Sequence, residues 1–394
     1  MFLLLKGGEV YSPKYIGKMD ILTCNEKIIK IEKNINLKDL PDISIIDLSG
    51  CIVVPGFIDQ HVHIAGGGGE GGPATRTPEI NLTDLTKAGI TTVVGLLGAD
   101  GITRSMSELL AKSRALEEEG LTTYIYTGAY ELPTRTLTNS VRSDIAIIDK
   151  VLGTGEIAIS DHRSAQPTVE DLKKLAAEAR VGGLLGNKPG IVHLHVGDGI
   201  RGLTPVIDIV KNTEIPITQF IPTHVNRNSH LFSQALEFLK MGGRIDLTSD
   251  IKPDENSKTA LTPIDAVRKI VENNLPLDNV TMSSDSNGSI PVFDENKKLI
   301  KVIVGSTLTL YRDLKEIITN GVLPLETAIK IITENVAKVL LLYPKKGCIK
   351  ENSDADFVIL DKNLNISSVI AKGQFMIKFN EIVKKGIFEQ KDIF

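Results

Sequence analysis

The chain has 394 residues, 42% of them hydrophobic and 24% charged, and no tryptophan. That length can bury a large core and allows one big domain with an accessory, or two ordinary domains. Lys and Arg number 45 against 49 Asp and Glu, a net charge of −4 that gives no support to a basic nucleic-acid surface.

Cys24, Cys51 and Cys348 lie far apart with no Cys-x-x-Cys pair, which predicts reduced thiols and a cytoplasmic setting. The opening Met1-Phe2-Leu3-Leu4-Leu5-Lys6 is too short for a signal segment, and no apolar run approaches the ~20 residues of a membrane span. Neither a membrane nor a nucleic acid is an expected partner.

Residues 1–53 read as short strands: Leu3 to Lys6 before a Gly7-Gly8 turn, Lys27 to Ile31, Ile43 to Leu48, and Cys51 to Val54. After Lys346-Gly347 the same texture returns, with Phe357 to Leu360, Ile366 to Ile370, Phe375 to Phe379 and Ile382-Val383. Residues 1–53 and 346–394 are therefore expected to build one small β domain from both chain ends.

Between them, over 54–345, strands alternate with helices. Eight strands are predicted to begin at Phe57, Thr91, Thr122, Glu156, Ile191, Ile217, Arg244 and Asn279. Thr77-Pro78 opens a helix to about Lys87, and Ser105 to Glu119 is amphipathic and stops at Gly120. Thr168 caps Leu172 to Arg180, Ser233 to Met241 ends at Gly242-Gly243, and Thr262-Pro263 opens a helix to about Asn273. Eight such units predict an α/β fold, a closed (β/α)8 TIM-like barrel. The alternative, a doubly wound open sheet, lacks a Gly-x-Gly-x-x-Gly turn after an early strand.

In such a barrel chemistry collects where strands end. The first strand ends in His61-Val62-His63, whose imidazoles share one face because side chains alternate. The fifth carries His193-Leu194-His195, the sixth runs into Pro222-Thr223-His224, and the eighth ends at Asp285. Five of the seven histidines sit at three strand ends. Each alone reads equally as a hydrogen-bonded strand-end group, but four imidazoles and a carboxylate match the ligand set of a catalytic zinc site. His193 lies about one layer deeper than His195, which makes His195 the expected ligand. His162 reads as a substrate contact or a loop residue, and His230 as a solvated cap.

With these motifs in place the chain resembles the amidohydrolase superfamily of metal-dependent hydrolases, and within it the isoaspartyl (β-aspartyl) dipeptidase family. The resemblance spans nearly the whole chain. It rests on Pro55 to His63, Gly66 to Gly71 with Glu70, Thr127-Gly128-Ala129-Tyr130, Ile159 to Ser164, Pro222 to Asn228 and Ser283 to Ser289. It implies a β-sandwich made from the termini, one metal on His61, His63 and Asp285, a second on His195 and His224, and a homo-oligomer. The implied cofactor is Zn2+, one or two ions per chain. The implied substrate is a small dipeptide joined through the side-chain carboxyl of aspartate, cleaved by metal-activated water with Asp285 as general base and acid. Tyr130 would hydrogen-bond the developing oxyanion, Glu70 would meet the α-ammonium, Arg163 and Arg227 the carboxylates, and Ser289 would add a polar contact.

The sequence departs from the family pattern on strand four. A carbamylated lysine is expected there as the bridge between metals, and this chain has Glu156, after a Gly153-Thr154-Gly155 that is one residue longer than the pattern. Glutamate can bridge without modification, but it reaches roughly 4 Å less far. The two rival readings are an amidohydrolase acting on a cyclic amide or N-acyl amino acid, and a barrel scaffold without catalysis.

Overall fold

In the computed structural model the chain is described over residues 2–36, 43–253, 257–293 and 299–389. Five strands come first: β1 (Phe2–Tyr11), β2 (Tyr15–Cys24), β3 (Lys27–Glu32), β4 (Ile43–Asp47) and β5 (Ile52–Pro55). The Gly7-Gly8 pair is not a turn. It lies inside β1, which continues past a register shift between Leu5 and Gly8 and pairs with β2 on either side of it.

A single residue, Gly56, separates β5 from the first barrel strand. A Cβ there would fall 2.2 Å from Thr91 Oγ1 and 2.9 Å from Asp356 Cβ, so only glycine lets the chain pass between the two layers.

The barrel strands are β6 (Phe57–Val62), β7 (Ile90–Gly95), β8 (Thr122–Thr127), β9 (Val151–Ile159), β10 (Ile191–Val196), β11 (Phe220–Thr223), β12 (Ile245–Thr248) and β13 (Val280–Ser283). β6 to β11 form one curled parallel sheet in sequence order, and β12 pairs in parallel with β13. The ring closes where Val62 bridges Ser286 in parallel and the His63 amide donates to the Ser286 carbonyl at 3.0 Å. Every barrel strand is buried along its whole length apart from Tyr124, which is half-buried, as expected of parallel strands covered on both faces.

Several predicted boundaries shift, and the helices expected over Leu172–Arg180 and Ser233–Met241 span Val169–Gly186 and Ser229–Lys240. Strand four starts at Val151, five residues before Glu156, and strand six at Phe220, because Ile217–Gln219 forms a 3-10 turn. The first helix is Leu82–Thr86, not Pro78 to Lys87: Asn81 and Asp84 make its capping box, while the Thr77 hydroxyl bonds elsewhere.

A hairpin, β14 (Ser289–Phe293) with β15 (Leu299–Val304), follows the last barrel strand. Then β16 (Phe357–Leu360), β17 (Ile366–Ala371), β18 (Gln374–Lys378) and β19 (Glu381–Ile382) return to the N-terminal strands. β16 lies antiparallel to β5, with Val358 opposite Val54, which joins both chain ends in one nine-stranded mixed sheet. Leu3, Leu5, Val10, Ile21, Val53, Phe357 and Ile359 fill its core.

Candidate active site

The alternation along β6 places His61 and His63 on one side, at different depths. His61 is fully buried, and its Nδ1 lies 2.8 Å from His193 Nε2. Its Nε2, which has no hydrogen-bond partner, faces Asp285 Oδ1 at 3.3 Å and Glu156 Oε2 at 3.5 Å. His63 Nε2 lies 3.2 Å from Asp285 Oδ1 and 3.6 Å from Glu156 Oε1. His193 stacks on Tyr126 beneath this layer.

His224, the residue after β11, and Asp285, two residues past β13, are both in left-handed backbone, with φ of 59° and 51°. For a residue other than glycine that conformation costs about 1–2 kcal/mol. His224 Nδ1 is tied to the Thr248 hydroxyl at 2.7 Å, leaving Nε2 to face Glu156 Oε2 at 3.6 Å.

Glu156 reaches this layer through a bulge. Val192 pairs with Thr154 and Leu194 with Ile157, so β9 spends three residues where β10 spends two. The extra residue accounts for the additional length of Gly153-Thr154-Gly155. A Cβ on Gly155 would lie 2.7 Å from the His193 carbonyl oxygen, so the bulge requires glycine there.

Electrostatics favour a charged cluster. Burial opposes ionisation of Glu156, yet His61 and hydrogen bonds from His195 and His224 hold its carboxyl well below the usual range. Burial likewise opposes the charge on Asp285, and His61, with His63 Nε2 at 3.2 Å, outweighs it. Burial, aided by His195 and Arg227, pushes His224 down to about 3, so its imidazole is neutral, the form that ligates.

Two overlapping groups have ligand atoms close enough to share a cation: His61, His63 and Asp285, and His61, Glu156 and His224. The neutral His224 imidazole, the ionised Glu156 and Asp285 carboxylates, and a His61 Nε2 without a hydrogen-bond partner fit a bound metal. His195 belongs to neither group among the described residues. Its Nδ1 lies 3.1 Å from Glu156 Oε2 and 2.8 Å from the Tyr130 hydroxyl, and its Nε2 lies 3.0 Å from Asp161 Oδ2.

Above the cluster opens a cavity of about 620 Å³ onto which Glu70, Tyr130, Arg163, Arg227, Asp285 and Ser289 all face. Arg163 Nη1 donates to Glu70 Oε1 at 2.9 Å, and the Ser289 hydroxyl lies 3.4 Å from Glu70 Oε2. The Arg163 guanidinium sits 5.4 Å from the centre of the Tyr130 ring. Burial and the Glu156 charge raise the Tyr130 phenol well above its ordinary pKa, so it keeps its proton. His162 lies at the rim, 89% exposed, and His230 is exposed in the first turn of the helix Ser229–Lys240, which Asn228 caps.

Sequence reasoning passed over three supports. Asp161 accepts from Arg163 through both oxygens. Buried Arg104 donates to the carbonyls of Ala65, Gly67 and Thr77, holding the glycine loop that carries Glu70. Thr77 and Asn287 pin the same loop, with Thr77 Oγ1 accepting from the Gly67 amide and donating to the Asn287 carbonyl, each at 2.7 Å. Asp161 stood inside a quoted motif, whereas a buried arginine 37 residues from the loop it holds leaves no local signal.

The amidohydrolase family model matches residues 191–376. The solved β-aspartyl dipeptidase of Fervidobacterium islandicum AW-1, in complex with β-Asp-Leu dipeptide, is 47% identical, with a TM-score of 0.89 over 97% of this chain and 98% of that one. The chain belongs to the amidohydrolase superfamily. A dihydroorotase of Aquifex aeolicus is 26% identical across 99% of this chain and 98% of its own length. The dihydropyrimidinase of Brevibacillus agri NCHU1002 shares the fold, at 17% identity and a TM-score of 0.69. The barrel is thus that of a superfamily whose members are metal-dependent hydrolases.

Proposed function

We propose that the protein hydrolyses isoaspartyl dipeptides. The observation that carries the reading is the ring of charge over the ligand cluster: Glu70, Arg163 and Arg227 line one cavity with Asp285 at its base. A zwitterionic amino acid with a second carboxylate needs an anion for its ammonium and guanidinium groups for its carboxylates. A cyclic amide such as dihydroorotate, the kind of substrate that the dihydroorotase likeness suggests, carries one carboxylate and no ammonium, so it has no use for Glu70 beside two guanidinium groups. The 47% identity to a dipeptidase over nearly the full chain supports the same choice.

In this reading His61, His63, Asp285, Glu156, His195 and His224 would hold one or two zinc ions. The metal, when bound, makes water more acidic and polarises the scissile carbonyl. The side chains do the rest. Asp285, one-third exposed to the cavity, takes a proton from the attacking water and passes it to the leaving amine. The Tyr130 hydroxyl donates to the carbonyl oxygen as it gains charge. Glu70, steadied by Ser289, accepts from the α-ammonium, and Arg163 with Arg227 fixes the carboxylates.

The test is aspartate release from β-Asp-Leu by zinc-loaded protein, with α-Asp-Leu and dihydroorotate as comparisons. Cleavage of β-Asp-Leu alone is expected, and Asp285→Asn should lower kcat by about 10²–10⁴-fold. Turnover of dihydroorotate with none of β-Asp-Leu would favour the cyclic-amide reading.

A further inference from the structure

We propose that Asp161 is a positioning residue that couples a metal ligand to substrate recognition, so that His195 and Arg163 act as one unit. The proposal rests on the dipeptidase reading for the role of Arg163 and on His195 as a ligand.

Asp161 lies two residues past the end of β9, 7% exposed, and carries no role in the chemistry above. Its Oδ1 accepts from the Arg163 backbone amide at 2.7 Å and from Arg163 Nε at 3.0 Å. Its Oδ2 lies 2.9 Å from Arg163 Nη2 and 3.0 Å from His195 Nε2. Arg227 Nη1 approaches the same oxygen at 4.0 Å. One buried carboxylate therefore holds two edges of the Arg163 guanidinium, leaving Nη1 for Glu70, and meets the outer nitrogen of His195.

The geometry has two consequences. A proton on His195 Nε2 shared with Asp161 leaves the Nδ1 lone pair toward Glu156. A carboxylate in that place makes an imidazole a stronger ligand and fixes its ring. The bidentate grip also sets the plane of Arg163, and with it the approach of a substrate carboxylate. Asparagine fits the same space, but its amide nitrogen cannot accept, so it faces donors on one side and cannot keep all four contacts.

The experiment titrates zinc alone into metal-free full-length protein, wild type, Asp161→Asn and Arg163→Gln, and measures kcat and KM for β-Asp-Leu on the loaded forms. Asp161→Asn is expected to weaken zinc binding by about 10–100-fold and to raise KM about 10-fold or more, while unfolding remains cooperative. Arg163 Nη2 also lies 3.4 Å from His195 Nε2, and under coupling Arg163→Gln weakens zinc binding as well, because Asp161 and His195 lose the group that holds them. Lower thermal stability with zinc affinity and KM unchanged would mark Asp161 as merely structural and overturn the proposal. Weaker zinc binding in Asp161→Asn with an unchanged KM, or unchanged zinc affinity in Arg163→Gln, would overturn the coupling. Should wild type fail to cleave β-Asp-Leu while the zinc arms still separate the variants, the dipeptidase reading falls and the tie between Asp161 and His195 stands.

Discussion

Glu156 offers a carboxylate that needs no chemical modification, with Oε2 within 3.1–3.6 Å of nitrogens on His195, His61 and His224. If it bridges, activity is independent of added bicarbonate, since no lysine has to be carbamylated. Glu156→Ala should lose bound metal, read by elemental analysis of the purified variant, and full occupancy there would remove Glu156 from the ligand set. The histidines and Asp285 were legible because such side chains are scarce and fell at strand ends. Asp161 and Arg104 were not, since their roles depend on partners brought near only by the closed barrel. The same holds for the exchange at His61, where His193 takes Nδ1 from below and leaves Nε2 for the site.

At the scale of elements, the bulge on β9 does what a longer side chain does elsewhere. With one extra residue on β9, the short Glu156 carboxylate meets the layer where imidazoles converge. The extra residue was visible as an overlong Gly-Thr-Gly, but which side chain it would present was not, because the count alone does not fix the register. Gly155→Ala tests it. The added Cβ meets the His193 carbonyl oxygen at 2.7 Å and should cost about 1–3 kcal/mol in denaturant unfolding, with a parallel loss of metal affinity as Glu156 retreats. Wild-type metal affinity in that variant would mean that the bulge does not place Glu156. The Thr77-Pro78 pair shows the opposite case. It carries a good helix-start signature, yet the hydroxyl that would cap is engaged by Gly67 and Asn287, and the loop takes precedence over the local preference.

At the scale of the molecule, barrel and terminal sheet are tied by a buried ion cluster. Lys346, 2% exposed, donates to Asp356 Oδ2 at 2.5 Å and Thr122 Oγ1 at 2.6 Å, and pairs with Asp354 Oδ2 at 2.9 Å. Burial opposes its charge, but Asp356 and Asp354 raise the ammonium above its usual 10.5. Burial also opposes the charge on Asp354, and Lys346 outweighs it and lowers the carboxyl below 3.8. The depressed acid contributes stability that is present above pH 3.8 and lost as pH falls through its folded value. The raised base contributes stability that is present below pH 10.5 and lost as pH rises through its folded value. The cluster therefore stabilises the protein across the whole interval between. Lys346→Met should cost about 3–5 kcal/mol near neutral pH, measured by denaturant unfolding, because it leaves buried Asp356 without its cation and Asp354 with Lys27 alone. The same variant should flatten both the acid and the alkaline limbs of the stability profile. That both chain ends share one sheet was legible from their strand-like texture. Their order in it was not, because the partner of each strand lies at the other end of the sequence.

The pairing of β5 with β16 also sets a clock. About 300 residues of barrel separate the two strands, and at synthesis rates of about 5–20 residues per second β16 emerges on the order of 15–60 s after β5. Closing so long a loop adds little to the equilibrium cost, because that entropy grows only with the logarithm of length. In time it is expensive. β5 can find β1 early, since Glu9 and Val10 pair with Ile52 and Val53, but its other edge, running through Val53 and Val54, has no partner until the C-terminal strands arrive. Throughout that interval the nascent chain carries an open, apolar strand edge, the kind of surface on which chains associate with one another before they finish folding.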